Sequence, residues 1–172
     1  MDLIDRIHHT RFLGREFLTW LWYRTELQEE TFRLENAPPM MISFDDRLVL
    51  EAAVENIREV NTIRGESPTQ TAEARAALRM GKKVVQARLT VGLGTQEWRC
   101  VVKGDDLSLG GIKVPAVLKD AEDDVLLERV YLLDQLEEAF DALYREFLRI
   151  RMDDGHWKSE LDAIREWVAT GD

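Results

Sequence analysis

The chain is poor in the residues that build disulfides and metal sites, with one cysteine and three histidines among 172 residues. The single Cys100 excludes an internal disulfide and any multi-cysteine metal site. It precedes Val101 in a strand-like run, where a buried and inert thiol is expected in preference to a reactive one.

Long apolar runs are also missing. No stretch approaches the roughly 18 uninterrupted apolar residues of a membrane helix. The first residues, MDLIDRIHHTR, interleave charges where a secretory signal has a continuous apolar stretch. We therefore expect a cytoplasmic protein without a membrane partner.

Catalytic signatures do not appear either. The Gly81-Lys82 step lacks the upstream glycine of a P-loop, because Ala76 occupies that position. His8 and His9 are adjacent and point in different directions on a helix, which does not suit a metal site. Aspartate doublets occur where turns or helix starts are expected, namely Asp45-Asp46, Asp105-Asp106, Asp123-Asp124 and Asp153-Asp154. The sequence thus predicts a non-enzymatic protein with no cofactor and no metal.

A cluster of large apolar residues stands out in the segment 12–23, FLGREFLTWLWY. Its side chains cover most of the circumference of a helix, so this helix has to be buried on two sides. Burial inside the domain and burial between two copies both satisfy that requirement. We predict a homo-oligomer with Phe17, Trp20 and Trp22 at its interface, and the sequence leaves a core position as the alternative.

The remaining patterns predict a single α+β domain over residues 1–172, with an antiparallel sheet, the N-terminal aromatic-rich helix, a short central helix and long C-terminal helices. Strands on either side of Asp45-Asp46 are expected to form a hairpin. Ser67 is the predicted N-cap of the central helix, which is expected to run from about Pro68 or Thr71 through Met80, with Gly81 as its C-terminal stop. Asp134 and Glu137 form a predicted capping box with a kink in the C-terminal helix.

The charge is distributed unevenly around a net value of −10. Residues 1–57 hold 6 basic against 11 acidic side chains, residues 58–103 hold 9 against 4, and residues 104–172 hold 8 against 18. A basic middle segment can present a positive face on an acidic protein, and phosphate contacts need such distributed charge. The predicted DNA-binding residues are Arg75, Arg79, Lys82, Lys83, Arg88 and Arg99, with Trp98 as a base-stacking candidate. The alternative is that these cations pair with acids inside the fold.

Residues from about 67 to 150 resemble a known family. The short helix and strand in TAEARAALRMGKKVVQARLTV, the second strand in EWRCVVKGDD and the long helix in DDVLLERVYLLDQLEEAFDALYREF are similar to the C-terminal half of the recombination-associated protein RdgC family. The resemblance implies a ring-shaped homodimer that binds DNA without sequence preference and restrains the RecA recombinase. It places Arg79, Lys82, Lys83 and Arg88 nearest the phosphate backbone.

A second hypothesis belongs to a different class. The protein is then an acidic interaction or adaptor protein that binds another protein and not DNA. Its working face is the acidic surface of residues 104–172, and the basic residues are internal ion-pair partners.

Overall fold

Four helices and one six-stranded sheet make up the part of the chain that this computed structural model describes, residues 3–35, 37–54, 57–118 and 121–170. The helices are α1 (Leu3–Leu27), α2 (Ala72–Arg79), α3 (Glu122–Arg151) and α4 (Asp154–Thr170). The strands are β1 (Thr31–Phe32), β2 (Met40–Val54), β3 (Ile57–Arg64), β4 (Lys83–Leu93), β5 (Gln96–Lys103) and β6 (Leu109–Lys113). The sheet order is β1-β2-β4-β5-β6, with β3 also paired to β2, and all pairs are antiparallel. The predicted α+β class is confirmed.

Helix α1 lies between the sheet and the C-terminal helices, because it contacts β4 and β2 as well as α3 and α4. This position explains why its sequence is apolar around most of the circumference. The ring centroid of Phe147 on α3 lies 5.6 Å from that of Phe17 and 5.5 Å from that of Trp20. Among the described side chains of α1, those that are at most 1% exposed are Phe17, Leu18, Trp20, Leu21 and Trp22.

Strand β2 corrects the predicted hairpin at Asp45-Asp46. The chain does not reverse there, and β2 continues through the acidic pair as one strand of 15 residues. Phe44 pairs with Leu89 and Leu48 with Ala87, so the intervening β2 residues form an irregularity in the register. Because a bulge accommodates extra residues without a turn, turn-forming aspartates are compatible with a continuous strand.

The central helix begins after Thr71, the second of the two predicted starts, and Thr71 instead of Ser67 is its N-cap. The hydroxyl of Thr71 accepts a hydrogen bond of 3.2 Å from the amide of Ala74, whereas Ser67 makes no side-chain cap and precedes a short 3₁₀ turn. Gly81 follows the helix with a φ of +81°. That conformation costs glycine little, so the predicted C-terminal stop is confirmed.

Helix α3 runs through the predicted kink without interruption. It extends for 30 residues, and Asp134 lies inside it instead of capping a helix. Its buried side chains begin at Leu132 and continue to Ile150, whereas the first ten residues of the helix contribute none to the core. The break at Asp153 is confirmed, because its carboxylate accepts a hydrogen bond of 2.9 Å from the amide of His156 at the start of α4.

The backbones of α1 and of the turn after β5 approach each other closely at two glycines. A Cβ atom on Gly14 would lie 1.9 Å from the carbonyl oxygen of Gly104 and 3.2 Å from the side chain of Leu107. Leu107 has a φ of +56°, a left-handed conformation that costs a leucine about 1 kcal/mol or more. The turn from 104 to 108 is thus held firmly against α1.

Strand β6 contains a one-residue bulge at Gly111, which has a φ of +56°. Glycine adopts this left-handed conformation readily and is typical of such bulges. Side chains of a regular strand alternate between its two sides, and the extra residue shifts this alternation by one position. Leu109 and Ile112 therefore lie on the same side although they are three positions apart. Both side chains face the space between β6 and α3.

Cys100 lies in the core on β5, and its side chain is 1% exposed. Burial raises the pKa of the thiol from an ordinary 9.0 to about 12. The predicted buried position is confirmed.

The Cys100 thiol is expected to stay unreactive toward a thiol reagent at pH 8 until the protein unfolds. Above pH 9 the unfolded chain releases this proton while the folded chain retains it, so stability falls as the pH rises toward 12. We expect a loss on the order of 1 kcal/mol between pH 8 and pH 10. Urea unfolding of the wild type and of Cys100→Ala at several pH values measures this loss of stability, because the variant has no thiol to titrate. If the stability of both proteins changed with pH in the same way, the raised pKa of Cys100 would be contradicted.

Candidate functional site

Two of the six predicted DNA-binding residues lie inside the fold. The guanidinium of Arg75 donates a hydrogen bond of 2.6 Å to Glu26, and the side chain is 9% exposed. The ammonium of Lys82 donates to Asn61 at 2.6 Å and lies 3.2 Å from Glu59, with 8% of the side chain exposed. Neither cation presents its charge to solvent, which corrects their assignment to a DNA-binding surface.

The other four are more exposed but do not form one face. Arg88 and Arg99 lie on the same side of the sheet, because Arg88 is two positions from Thr90, the register partner of Arg99. Lys83 lies 3.3 Å from Glu16 on α1. Arg79 donates to the carbonyl oxygen of Val168 on α4 at 3.2 Å.

The exposed arginines also have acidic neighbours. Arg88 forms two hydrogen bonds with Asp46, at 2.8 and 2.9 Å, and Arg99 lies 3.4 Å from Glu97. Both pairs are solvent-accessible and therefore contribute little to stability, but each places a negative charge beside the cation. Most of the cations in the basic middle segment therefore pair with acids of the same chain, as the alternative interpretation of that segment predicts.

The predicted interface residues belong to the core of one chain. The indole N–H of Trp20 donates to Glu160 on α4 at 2.8 Å, and that of Trp22 donates to Glu26 at 2.6 Å. Phe17, like both tryptophans, is at most 1% exposed. These side chains hold the helices of one molecule together and are too deeply buried to form a subunit interface, which corrects the interface assignment.

Trp98 is also buried and cannot stack on a base from outside. It is 0% exposed, and its indole N–H donates a hydrogen bond of 2.8 Å to the carbonyl oxygen of Leu132 on α3. Its role is to attach α3 to the sheet.

A depression on the described surface lies between α3 and the edge strand β6, and we call it the α3–β6 groove. Its volume is about 890 Å³, within the range of ligand-binding clefts. The floor is apolar and is contributed by α1, β5, β6, the turn after β5 and α3. The floor residues are Phe17, Val102, Leu107, Leu109, Ile112, Leu136 and Phe140.

One wall of the groove is acidic. Asp134, Glu137, Glu138 and Asp141 project from successive turns of α3. Asp141 pairs at 2.7 Å with Arg145 of its own helix, in an exposed position. Within the described ranges of the chain, the other three carboxylates have no cation within ion-pair distance. An apolar floor therefore adjoins three carboxylates that no described cation neutralises.

Exposed apolar side chains continue from the groove toward the start of α3. Leu126 is 63% exposed, Leu127 67%, Val130 48%, Tyr131 60% and Leu133 40%. Isolated exposed leucines are ordinary, but a contiguous apolar face on one helix marks an interaction site.

The turn beneath the groove is fixed by charge. The carboxylate of Asp105 accepts hydrogen bonds from Arg11 and, at 2.8 Å, from Arg15. Desolvation by itself raises the pKa of Asp105, but the two arginines outweigh it and hold the pKa below its ordinary value. Farther along the groove, burial raises the pKa of the Tyr144 phenol, which stays protonated at neutral pH.

Metal-binding and membrane-spanning features do not occur in the described residues. No group of three or more histidine, cysteine, aspartate or glutamate side chains there could hold a metal ion. No helix in the same part of the chain is both long and apolar enough to span a membrane.

No family model, no curated protein and no solved structure matches this chain. The resemblance to RdgC, the homodimer and the absence of catalysis therefore stay predictions.

Local sequence patterns assign the groove residues to folding and not to binding. They predict a helix cap at Asp134 and Glu137, and an apolar stripe along the C-terminal helix that Leu126, Val130 and Leu133 extend upstream. The signal that points to the groove is charge: residues 122–138 contain seven carboxylates and one cation, Arg129. An apolar stripe embedded in such a segment is more typical of a partner-binding helix than of a core helix alone.

Proposed function

We propose that this protein is an acidic interaction protein that binds another protein through the α3–β6 groove and the exposed start of α3. The observation that carries the proposal is the apolar face of α3, exposed from Leu126 to Leu133 and continuous with a groove in which three of the four carboxylates have no cation partner among the described residues. Protein interfaces combine such an apolar centre with a polar rim.

The distribution of the cations favours this function over DNA binding. Arg75 and Lys82 are buried in ion pairs, and Lys83, Arg88 and Arg99 lie beside carboxylates. Phosphate binding depends on cations that are free to replace condensed counterions. The surface that remains available on α3 is negative and would repel a nucleic acid.

A photo-crosslinking amino acid placed at Tyr131 tests the proposal in native cells. We expect it to capture a defined protein reproducibly, because Tyr131 is 60% exposed on the proposed face. The matched control is the same probe at Met80, which is 68% exposed at the end of α2 and lines no part of the groove. Identical capture profiles from the two positions would reject the groove as the binding face.

Fluorescence anisotropy with labelled single- and double-stranded DNA tests the competing hypothesis. We expect no binding at about 50 mM or about 200 mM salt, the range over which phosphate-dominated affinity changes by orders of magnitude. Salt-sensitive binding that is lost in the double variant Arg88→Glu, Arg99→Glu would instead support DNA binding through the sheet.

A further inference from the structure

The groove and the exposed face of α3 define the chemistry of their occupant. Resting on the proposed function, we propose that the α3–β6 groove binds a basic amphipathic helix of about four turns, which lies alongside α3. Its apolar side chains enter the groove, and its lysines or arginines face the acidic wall.

The apolar part of the argument comes from helical spacing. Leu126, Val130 and Leu133 are separated by four and three positions and share one side of α3. Continuing by four and again by four leads to Glu137 and Asp141 on that side, next to the groove floor. One face of α3 therefore changes from apolar to acidic along its length, and a partner helix has to match both parts.

The length of this face sets the length of the occupant. From Leu126 to Asp141 the helix advances about 22 Å, at about 1.5 Å per residue. An antiparallel or parallel neighbour of the same length has about 15 residues. Helices that dock in grooves present anchors at such spacings along one apolar side.

The negative charge of α3 predicts that the occupant is positively charged, and it argues against a second copy of this chain. Residues 122–138 carry a formal charge of −6, from seven carboxylates and one arginine. Pairing of two such segments would bring like charges together, which costs several kcal/mol at an interface. A cationic helix instead gains attraction from the carboxylates of Asp134, Glu137 and Glu138, which have no cation partner among the described residues.

A pair of synthetic peptides tests the proposal directly. The first is a fluorescein-labelled peptide of about 15 leucine and lysine residues, with the leucines at i, i+3, i+4 and i+7 spacing. The second peptide has the same composition, with the leucines distributed around the helix. We expect the amphipathic peptide to bind at least about tenfold more tightly than the second one, because only its leucines can enter the groove together.

A pair of charge-reversal variants locates the binding. Glu137→Lys with Asp141→Lys is expected to weaken the amphipathic peptide at least about tenfold. The control, Asp162→Lys with Glu166→Lys on the exposed side of α4, makes the same charge change at the same i, i+4 spacing and is expected to change affinity less than about threefold. Circular dichroism checks that both variants fold.

The outcomes separate this proposal from the broader function. Equal affinity for the two peptides, or equal losses in the two variants, would overturn it, because the protein would then respond to net charge alone. If sedimentation showed a dimer that Leu126→Glu dissociates, the occupant of the groove would be a second copy of this chain and not a basic helix. Capture of a partner through Tyr131 together with failure of the amphipathic peptide would retain protein binding and discard this occupant. Failure of both would reject both proposals.

Discussion

Replacing Glu26 with alanine is expected to lower the free energy of unfolding by about 3 kcal/mol, because removal of one member of a buried ion pair leaves the other charge uncompensated. The carboxylate accepts hydrogen bonds from Arg75 at 2.6 Å, from Trp22 at 2.6 Å and from Trp167 at 2.9 Å. The substitution therefore strands a cation and two indole N–H groups. The side chain of Glu26 is 22% exposed, which places the effect at the lower end of the range for such pairs.

Urea unfolding of the purified variants measures this loss. Glu26→Gln keeps the shape and one acceptor oxygen, so its loss should be smaller. Asp162→Ala is the matched control, because it removes an exposed pair with Arg165 and should change stability by less than about 0.5 kcal/mol. Equal stabilities of Glu26→Ala and Asp162→Ala would show that the network does not hold α1, α2 and α4 together.

Replacing Gly14 with alanine is expected to destabilise the protein by about 2 kcal/mol. The added Cβ would lie 1.9 Å from the carbonyl oxygen of Gly104, so α1 and the turn after β5 have to separate. Overpacking of this kind costs about 1 to 3 kcal/mol or more, against a gain of up to about 1 kcal/mol from the helix propensity of alanine. The displaced turn carries Leu107, so peptide binding in the α3–β6 groove should weaken as well.

Thermal or chemical unfolding of Gly14→Ala checks the loss of stability, and peptide titration of the same sample checks the weaker binding. Gly110→Ala is the control, because a Cβ there meets nothing within 4 Å and the backbone needs no left-handed conformation. If Gly14→Ala were as stable as Gly110→Ala, the close approach of the two backbones would be wrong.

Local patterns predicted much of the fold because each depends on neighbouring residues. The apolar circumference of α1 indicated burial on two sides, and the positive φ at Gly81 agrees with the predicted helix stop. Where a local pattern was compatible with two structures, as at Asp45-Asp46, the predicted structure was wrong. Asp45-Asp46 is compatible with a hairpin and with a bulged strand, and only pairing with β4 decides between them.

The site was harder to predict because it depends on which charges meet across the fold. Arg75 belongs to the basic middle segment, but its partner Glu26 lies 49 positions earlier. Lys83 likewise meets Glu16 from a distance of 67 positions. A count of charges along the sequence cannot assign these pairs, so it overstated the basic face. It also missed Asp134, Glu137 and Glu138, which have no cation beside them in the described part of the chain.

The pairing of α1 with α4 determines when the protein can complete its core. Trp20 bonds to Glu160, 140 positions later, and Trp167 bonds to Glu26, 141 positions earlier. During synthesis at about 5 to 20 residues per second, α4 therefore follows α1 by on the order of ten seconds. Throughout that interval Trp20 lacks Glu160 and Trp22 lacks Trp167, so part of the apolar surface of the nascent α1 is uncovered, and uncovered surface of this kind favours aggregation.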